Sequence, residues 1–193
     1  MPKTEVFNKE LVLNQASHVF HVKGYNATSM QDLVDATGLN RSSIYNSFGN
    51  KHNLFLECLK VYQSKYQRSI SNLLLKANSP LKAIESIFEL YLDEIVKDDE
   101  NKGCLITNCK SEMANQDSTI HNFLMNNQKN TLALFEDLVN QGQENSSINS
   151  HRSPKDYALY LFSTIQGFRM VGILIDNKQQ LQSLINITLQ NLK

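Results

Sequence analysis

Between Asn40 and Lys51 the chain reads NRSSIYNSFGNK, a stretch dense in small hydrogen-bonding side chains with Ile44 as its one aliphatic residue. Most of such a helix has nothing to bury. Asn40, Arg41, Ser42, Ser43 and Asn46 supply short donors and acceptors without an acidic group, the profile a helix needs to lie end-on in a major groove without repelling phosphate. Lys51 follows Asn50, a helix cap, so its cation sits where the positive end of a helix dipole already attracts anions. Asn40 has a competing role as a cap. The competing reading of the whole stretch is a helical hairpin in an all-α core, since such shapes recur outside DNA-binding proteins.

The elements that would hold these residues can be read from spacing. Thr28 and Gln31 have the separation of a capping box, which starts a helix near Ser29. Met30, Leu33 and Val34 give that helix one apolar stripe. Gly38 tolerates positive φ at its end, and Leu39 can fold back as a plug. Asn40 then caps a helix to about Phe48, with Ile44 and Phe48 on its buried face. An earlier helix, Lys9 to Val22, carries Val12, Ala16, Val19 and Phe20 and stops at Gly24.

These residues resemble the TetR family of bacterial transcriptional regulators. The resemblance rests on Phe20, Gly24-Tyr25 with Thr28-Ser29, Gly38-Leu39, and Ser43-Ile44-Tyr45 with Phe48, Lys51 and Leu54, and it covers about residues 8–60. It implies an all-α fold with an N-terminal three-helix head, residues 1–50, that carries a helix-turn-helix, in which Asn40, Arg41, Ser42, Ser43 and Asn46 face the groove, Arg41 toward a guanine and Asn46 toward an adenine or a phosphate, while Thr28, Tyr45 and Lys51 grip phosphates and set register. A helical-bundle body, residues 51–193, would bind ligand and dimerise. A second set, Lys102-Gly103-Cys104-Leu105-Ile106 with Asn108 and Glu112, then Gln166-Gly167-Phe168-Arg169, resembles a subgroup whose regulatory domains include sensors of toxic or electrophilic small molecules.

Composition narrows the means. The 193 residues have zero formal net charge and 41% hydrophobic content, enough for a full core but unlike a general polyanion binder. Residues 1–60, the head and the start of the helix after it, are also nearly neutral: Lys3, Lys9, Lys23, Arg41, Lys51 and Lys60 stand against Glu5, Glu10, Asp32, Asp35 and Glu57. Placed donors and helix ends must carry the affinity, with two heads acting together, which predicts modest affinity and a shallow salt dependence. Three cysteines, an odd number, point to free thiols in a reducing cytoplasm, and no apolar run is long enough for a membrane span.

Beyond Lys51 a long helix carries Leu54, Phe55, Cys58, Leu59 and Tyr62 and links head to body. Ser79-Pro80 opens a helix to about Val96, another spans about Gly103 to Ala114, and Asp117 caps one to about Gln141. Gly142 to Arg152 reads as a loop. From Ser153-Pro154 to Leu174 apolar residues lie nearly all round the helix, with Gly167 and Gly172 inside it at a cost of about 1 kcal/mol each relative to alanine. That pattern, with the last helix from Lys178 to Leu192, predicts a four-helix dimer interface through Leu161, Ile165, Phe168, Gly172, Leu181, Leu184, Ile185 and Thr188.

Phe88, Tyr91, Leu92, Cys104, Leu105, Phe123, Phe162, Ile165 and Gln166 are the expected lining of an effector pocket, though each also suits ordinary core. Cys104 falls in the first turn of its expected helix near Lys102, a setting that favours thiolate, and it also suits a small buried hydrophobe. Cys109 lies about 140° further round, unsuited to a disulfide with Cys104. Cys58 falls on an apolar stripe, as core. His18 and His21 lack a third metal ligand, and no catalytic or metal motif or cofactor fingerprint appears, which argues against an enzyme. The reading is a homodimeric regulator, most simply a repressor, binding a palindromic double-stranded operator and released by a small-molecule effector. Alternatives are a dimeric binding protein of the same fold that has lost operator recognition, and a regulator switched by thiol modification at Cys104.

Overall fold

The computed structural model describes residues 7–193; Lys3 and Glu5 of the charge count lie outside the described residues. Among the described residues there are nine helices and no strand: α1 (Lys9–Lys23), α2 (Met30–Thr37), α3 (Arg41–Phe48), α4 (Lys51–Leu74), α5 (Pro80–Val96), α6 (Leu105–Met113), α7 (Ser118–Glu144), α8 (Pro154–Val171) and α9 (Lys178–Gln190). None of them is long and apolar enough to cross a membrane.

Helix starts follow the capping chemistry. Asn40, Asn50, Ser79, Asp117 and Ser153 each accept the N3 amide, as their sequence positions predict. The α2 cap differs from expectation by one residue. Ser29, not Thr28, is the N-cap, and its box partner is Asp32, not Gln31: Ser29 Oγ accepts the Asp32 amide at 3.1 Å and Asp32 Oδ2 accepts the Ser29 amide at 2.8 Å. Thr28 turns inward instead. α6 begins at Leu105, so Cys104 is its N-cap rather than a first-turn residue, and Sγ accepts the Thr107 amide at 3.3 Å. α7 runs to Glu144, past the expected stop at Gln141, and Gly142 lies inside it, buried directly under Ile148.

Two cores result. The head core contains Phe20, Leu33, Leu39, Ile44 and Phe48, and the first two turns of α4 complete it through Leu54, Phe55, Cys58 and Leu59. Phe20 meets Phe55 edge-on at 4.8 Å between centroids, with Tyr25 5.0 Å from Phe55. Gly38, at φ +68°, reverses the chain so that Leu39 plugs the gap between α2 and α3. The same cluster takes in Leu105, Cys109 and Met113 of α6. Head and body thus share packing through α6 as well as through the continuous α4.

The body core is built by α5, α7, α8 and α9. Its composition corrects the expected dimer surface. Leu161, Ile165, Phe168, Leu181, Ile185 and Thr188 are buried inside the subunit, and Leu184 packs against the same core, so these side chains hold the bundle rather than face a second copy. Gly172 caps α8 instead of lying inside it, and its close neighbour is Ile95 of the same chain, 2.5 Å from where a Cβ would stand. The large apolar residues of these two helices left outside are Leu159, Met170, Val171, Leu174 and Ile175 at α8 and its end, and Ile187 on α9. Gly167 lies among them with nothing within 4 Å of a Cβ position.

Candidate functional site

α3 is short, and its geometry follows from two buried anchors, Ile44 and Phe48, one turn apart. Fixing that stripe inward forces Arg41, Ser42, Tyr45 and Asn46 outward, and all four are exposed. Asn40 Oδ1 takes the Ser43 amide at 2.8 Å and the Ser42 hydroxyl at 2.7 Å, so its oxygen is committed to the helix start. Among the described residues, the side chains of Arg41, Tyr45 and Asn46 have no hydrogen-bond or ion-pair partner.

Among the described residues, the lysines in and beside the head have partners within the chain. Lys23 pairs with Asp32 at 2.6 Å, and this contact, with Ser29, holds the Asp32 carboxyl well below the usual carboxylate range. Lys60 lies 2.9 Å and Lys9 3.7 Å from Glu57. Two expected phosphate contacts are corrected. Lys51 Nζ donates to the carbonyls of Tyr25 at 2.9 Å and Thr28 at 2.8 Å, and lies 4.3 Å from the Tyr25 ring centre. Its charge satisfies carbonyls in the α1–α2 turn, which offsets its position at the positive end of α4. Thr28 is buried, and its hydroxyl donates to the Gly24 carbonyl at 2.5 Å. Both residues fix the turn from inside.

A second site lies in the body. A cavity of about 440 Å³ opens between α4, α6, α7 and α8. Of the expected lining, Tyr91, Cys104, Phe162, Ile165 and Gln166 are on its wall. Phe88 and Leu92 are not; they are buried in the body core, where Phe88 meets Phe168 edge-on. Leu105 and Phe123 pack toward the head. Sequence reasoning missed the α4 wall, Tyr62, Tyr66, Ile70 and Leu74. Their i, i+4 spacing was the available signal, masked by assigning that helix a linking role alone.

It also missed Arg169, whose side chain is 11% exposed. The guanidinium stacks on the rings of Tyr91 at 4.3 Å and Tyr66 at 4.9 Å, and Nη2 donates to the Tyr62 hydroxyl at 3.2 Å. Tyr62 donates to the Tyr66 hydroxyl, which donates to Glu94. Burial raises the Glu94 carboxyl above its ordinary value, with Tyr66 and Arg169 pulling the other way. Cys104 is a buried free thiol on this wall. Lys102 cannot assist it, because its ammonium is held by Asp98 at 2.5 Å and Glu100 at 2.8 Å. Cys58 and Cys109 are also free and buried, and burial pushes both thiols up to about 12.

α6 joins the two sites. Its start, Cys104, Ile106 and Thr107, lines the cavity. In its last turn Glu112 accepts the backbone amides of Tyr25 at 2.8 Å and Asn26 at 2.7 Å. Gly24, at φ +78°, permits that approach, since a Cβ there would stand 3.0 Å from the Glu112 carboxylate. His21 of α1 bonds the Gly103 carbonyl at 3.1 Å just before α6. His18 lies 3.5 Å from Glu100.

The sequence matches the tetR family of bacterial regulatory proteins over residues 12–58 and the tetracyclin repressor-like C-terminal domain over residues 80–188. It is 25% identical over 190 residues to the HTH-type transcriptional regulator YezE of Bacillus subtilis, covering 98% of both chains. It is 24% identical over 193 residues to the HTH-type transcriptional repressor DhaR of a Mycobacterium species, covering 100% of this chain and 94% of that one. The fold is shared with a cysteine mutant of the TetR family regulator CifR complexed with 26-bp double-strand operator DNA, at a TM-score of 0.87 and 19% identity over 98% of each chain. The helix-turn-helix head, the helical body and these matches together establish that the chain belongs to the TetR family of bacterial transcriptional regulators.

Proposed function

We propose that this regulator is a ligand-responsive repressor that binds a palindromic operator as a homodimer and leaves it when a small molecule fills the body cavity. Residues 1–50 carry DNA binding and residues 51–193 carry ligand binding and dimerisation. The observation that bears most weight is α6, which touches the cavity with its first turn and the head with its last. A ligand that needs more room at Cys104, Ile106 and Thr107 moves α6, and Glu112 passes the movement to the α1–α2 turn, changing head orientation.

Arg41, Tyr45 and Asn46 meet the duplex, Arg41 at a base edge, with Ser42 and Ser43 beside them and Asn40 presenting the helix start. Lys51 and Thr28 set the geometry of this surface indirectly. Two copies pair through the outward stripe of α8 and α9, where Leu159, Met170, Leu174 and Ile187 are exposed and Gly167 allows close helix approach. Such a four-helix contact removes from water an apolar surface that a lone subunit would leave exposed.

A gel shift with the DNA upstream of the protein's own reading frame tests the operator. A retarded complex at dimer stoichiometry is expected. Absence of any shift at low salt, with a dimer intact, would favour a binding protein that has lost operator recognition. A second route to release is modification of Cys104, favoured by the position of its sulfur on the cavity wall at a helix N-cap. Alkylation of Cys104 no faster than that of a peptide thiol at neutral pH would remove that route.

A further inference from the structure

The cavity carries one formal charge, and it is positive. Among the described residues on its wall there is no Asp or Glu, and Arg169 is the sole cation. Arg169 has five N–H donors in a flat fork. The rings of Tyr66 and Tyr91, their centroids 5.8 Å apart, lie against one side of it, and one neutral acceptor, the Tyr62 hydroxyl, is in reach of its fork at 3.2 Å. The nearest carboxylate, Glu94, stands 3.9 Å away, off the cavity wall, and already accepts the Tyr66 hydroxyl. A nearly buried guanidinium whose fork meets one neutral acceptor and, at 3.9 Å, one carboxylate keeps donors for an anion on the cavity side.

The rest of the wall defines the body of the guest. Ile70, Leu134, Phe162 and Ile165 form an apolar side, the tyrosine rings beside Arg169 form a flat one, and neutral amides such as Gln63, Gln67, Asn127 and Asn130 complete the wall. The volume is in the range used for small ligands. We propose that the effector is a ring-containing carboxylic acid, its carboxylate taken by the edge of Arg169 and its ring laid between the tyrosine and aliphatic walls. This rests on the reading of the cavity as the effector site. It adds the chemical class that the site selects. Neutral compounds of the same shape would bury the Arg169 donors unpaired and bind more weakly.

The test compares matched pairs by calorimetry on the intact protein without DNA: benzoate with benzamide, 2-naphthoate with 2-naphthamide, and anthracene-9-carboxylate with its amide. At least one acid is expected to bind about tenfold or more tighter than its amide, the usual advantage of a charge-assisted pair. Arg169→Met should abolish the preference and Arg169→Lys retain part of it. The comparison on the unmutated protein stands even if a variant fails to fold. Equal binding within every pair, no binding of any acid at millimolar concentration, or a preference kept in a folded Arg169→Met variant would overturn the proposal. Operator release is read separately. An acid that binds but leaves the operator complex intact counts against ligand-responsive release and not against the anion site; release by neutral ligands alone counts against the anion site and leaves the repressor reading standing.

Discussion

The Glu112 carboxylate accepts the Tyr25 amide at 2.8 Å, so the last turn of the body's shortest cavity-lining helix is bonded to the turn that launches the helix-turn-helix. The same carboxylate takes the Asn26 amide at 2.7 Å. Bonds to a charged acceptor are stronger than neutral ones, about 1.5–3 kcal/mol each before exposure reduces them. Glu112→Ala is expected to lower the melting temperature and weaken operator binding about tenfold while ligand affinity stays within about twofold. Anisotropy titrations with operator, paired with calorimetry on the same preparation, check this. An unchanged operator affinity would show that α6 does not set head geometry.

Arg41 and Lys51 should behave differently, and not as two phosphate contacts. Arg41 is exposed on α3 and lacks an internal partner among the described residues, whereas Lys51 commits two of its three donors to backbone carbonyls. Arg41→Ala is expected to cost about 1–3 kcal/mol on the operator and much less on random duplex. Lys51→Met should leave the salt slope of binding unchanged, because no counterion-releasing contact is lost, yet lower thermal stability by leaving those carbonyls unpaired. A salt slope reduced by about one in Lys51→Met would restore the phosphate role.

Much of this was legible in sequence because helix caps are local. Asn40, Asn50 and Ser79 announce their helices by residue type, and Gly38 announces its turn. What was not legible is where a side chain goes when two uses compete. Thr28 and Ser29 are both good caps, and only the carbonyl of Gly24, brought within 2.5 Å of the Thr28 hydroxyl by the fold, decides that Ser29 takes the role. α8 poses the same problem at larger scale. Apolar residues all round a helix predict two buried faces, but periodicity alone does not say that Leu161 and Phe168 face the subunit's own core while Leu159 and Met170 face outward. Arg169 illustrates the remaining gap: it stood in the sequence only as part of Gln166-Gly167-Phe168-Arg169, and nothing local shows that three tyrosines from two other helices close around it.

Burial pushes the His21 imidazole down from its ordinary value to about 4, with Lys102 and Arg169 adding to the shift and Asp98 and the Gly103 carbonyl opposing it. In the folded protein the ring is neutral near pH 6 and carries its proton on Nε2, which donates to the Gly103 carbonyl. The unfolded chain protonates at about 6.5, so between pH 6.5 and 4 it binds more protons than the folded one and stability falls as pH falls. The loss is of order 3 kcal/mol once the folded state also protonates. His21→Gln should flatten this part of the stability profile relative to the unmodified protein, as read by urea unfolding at pH 7, 6, 5 and about 4.5. Parallel profiles for the two proteins would show that another group governs the window.

The dimer proposal turns on which stripe of α8 meets the partner. Leu161 is buried in the subunit core and Met170 is 45% exposed, although both lie on one helix. Leu161→Ala is therefore expected to destabilise the fold by about 2–5 kcal/mol without preferentially splitting the dimer. Met170→Glu places a charge on the outward stripe, where Leu174 and Ile187 are also exposed, and leaves the subunit core untouched. Sedimentation should find a folded monomer for Met170→Glu, with operator affinity falling as the two-headed contact is lost. A Met170→Glu dimer as tight as the unmodified one would place the interface elsewhere.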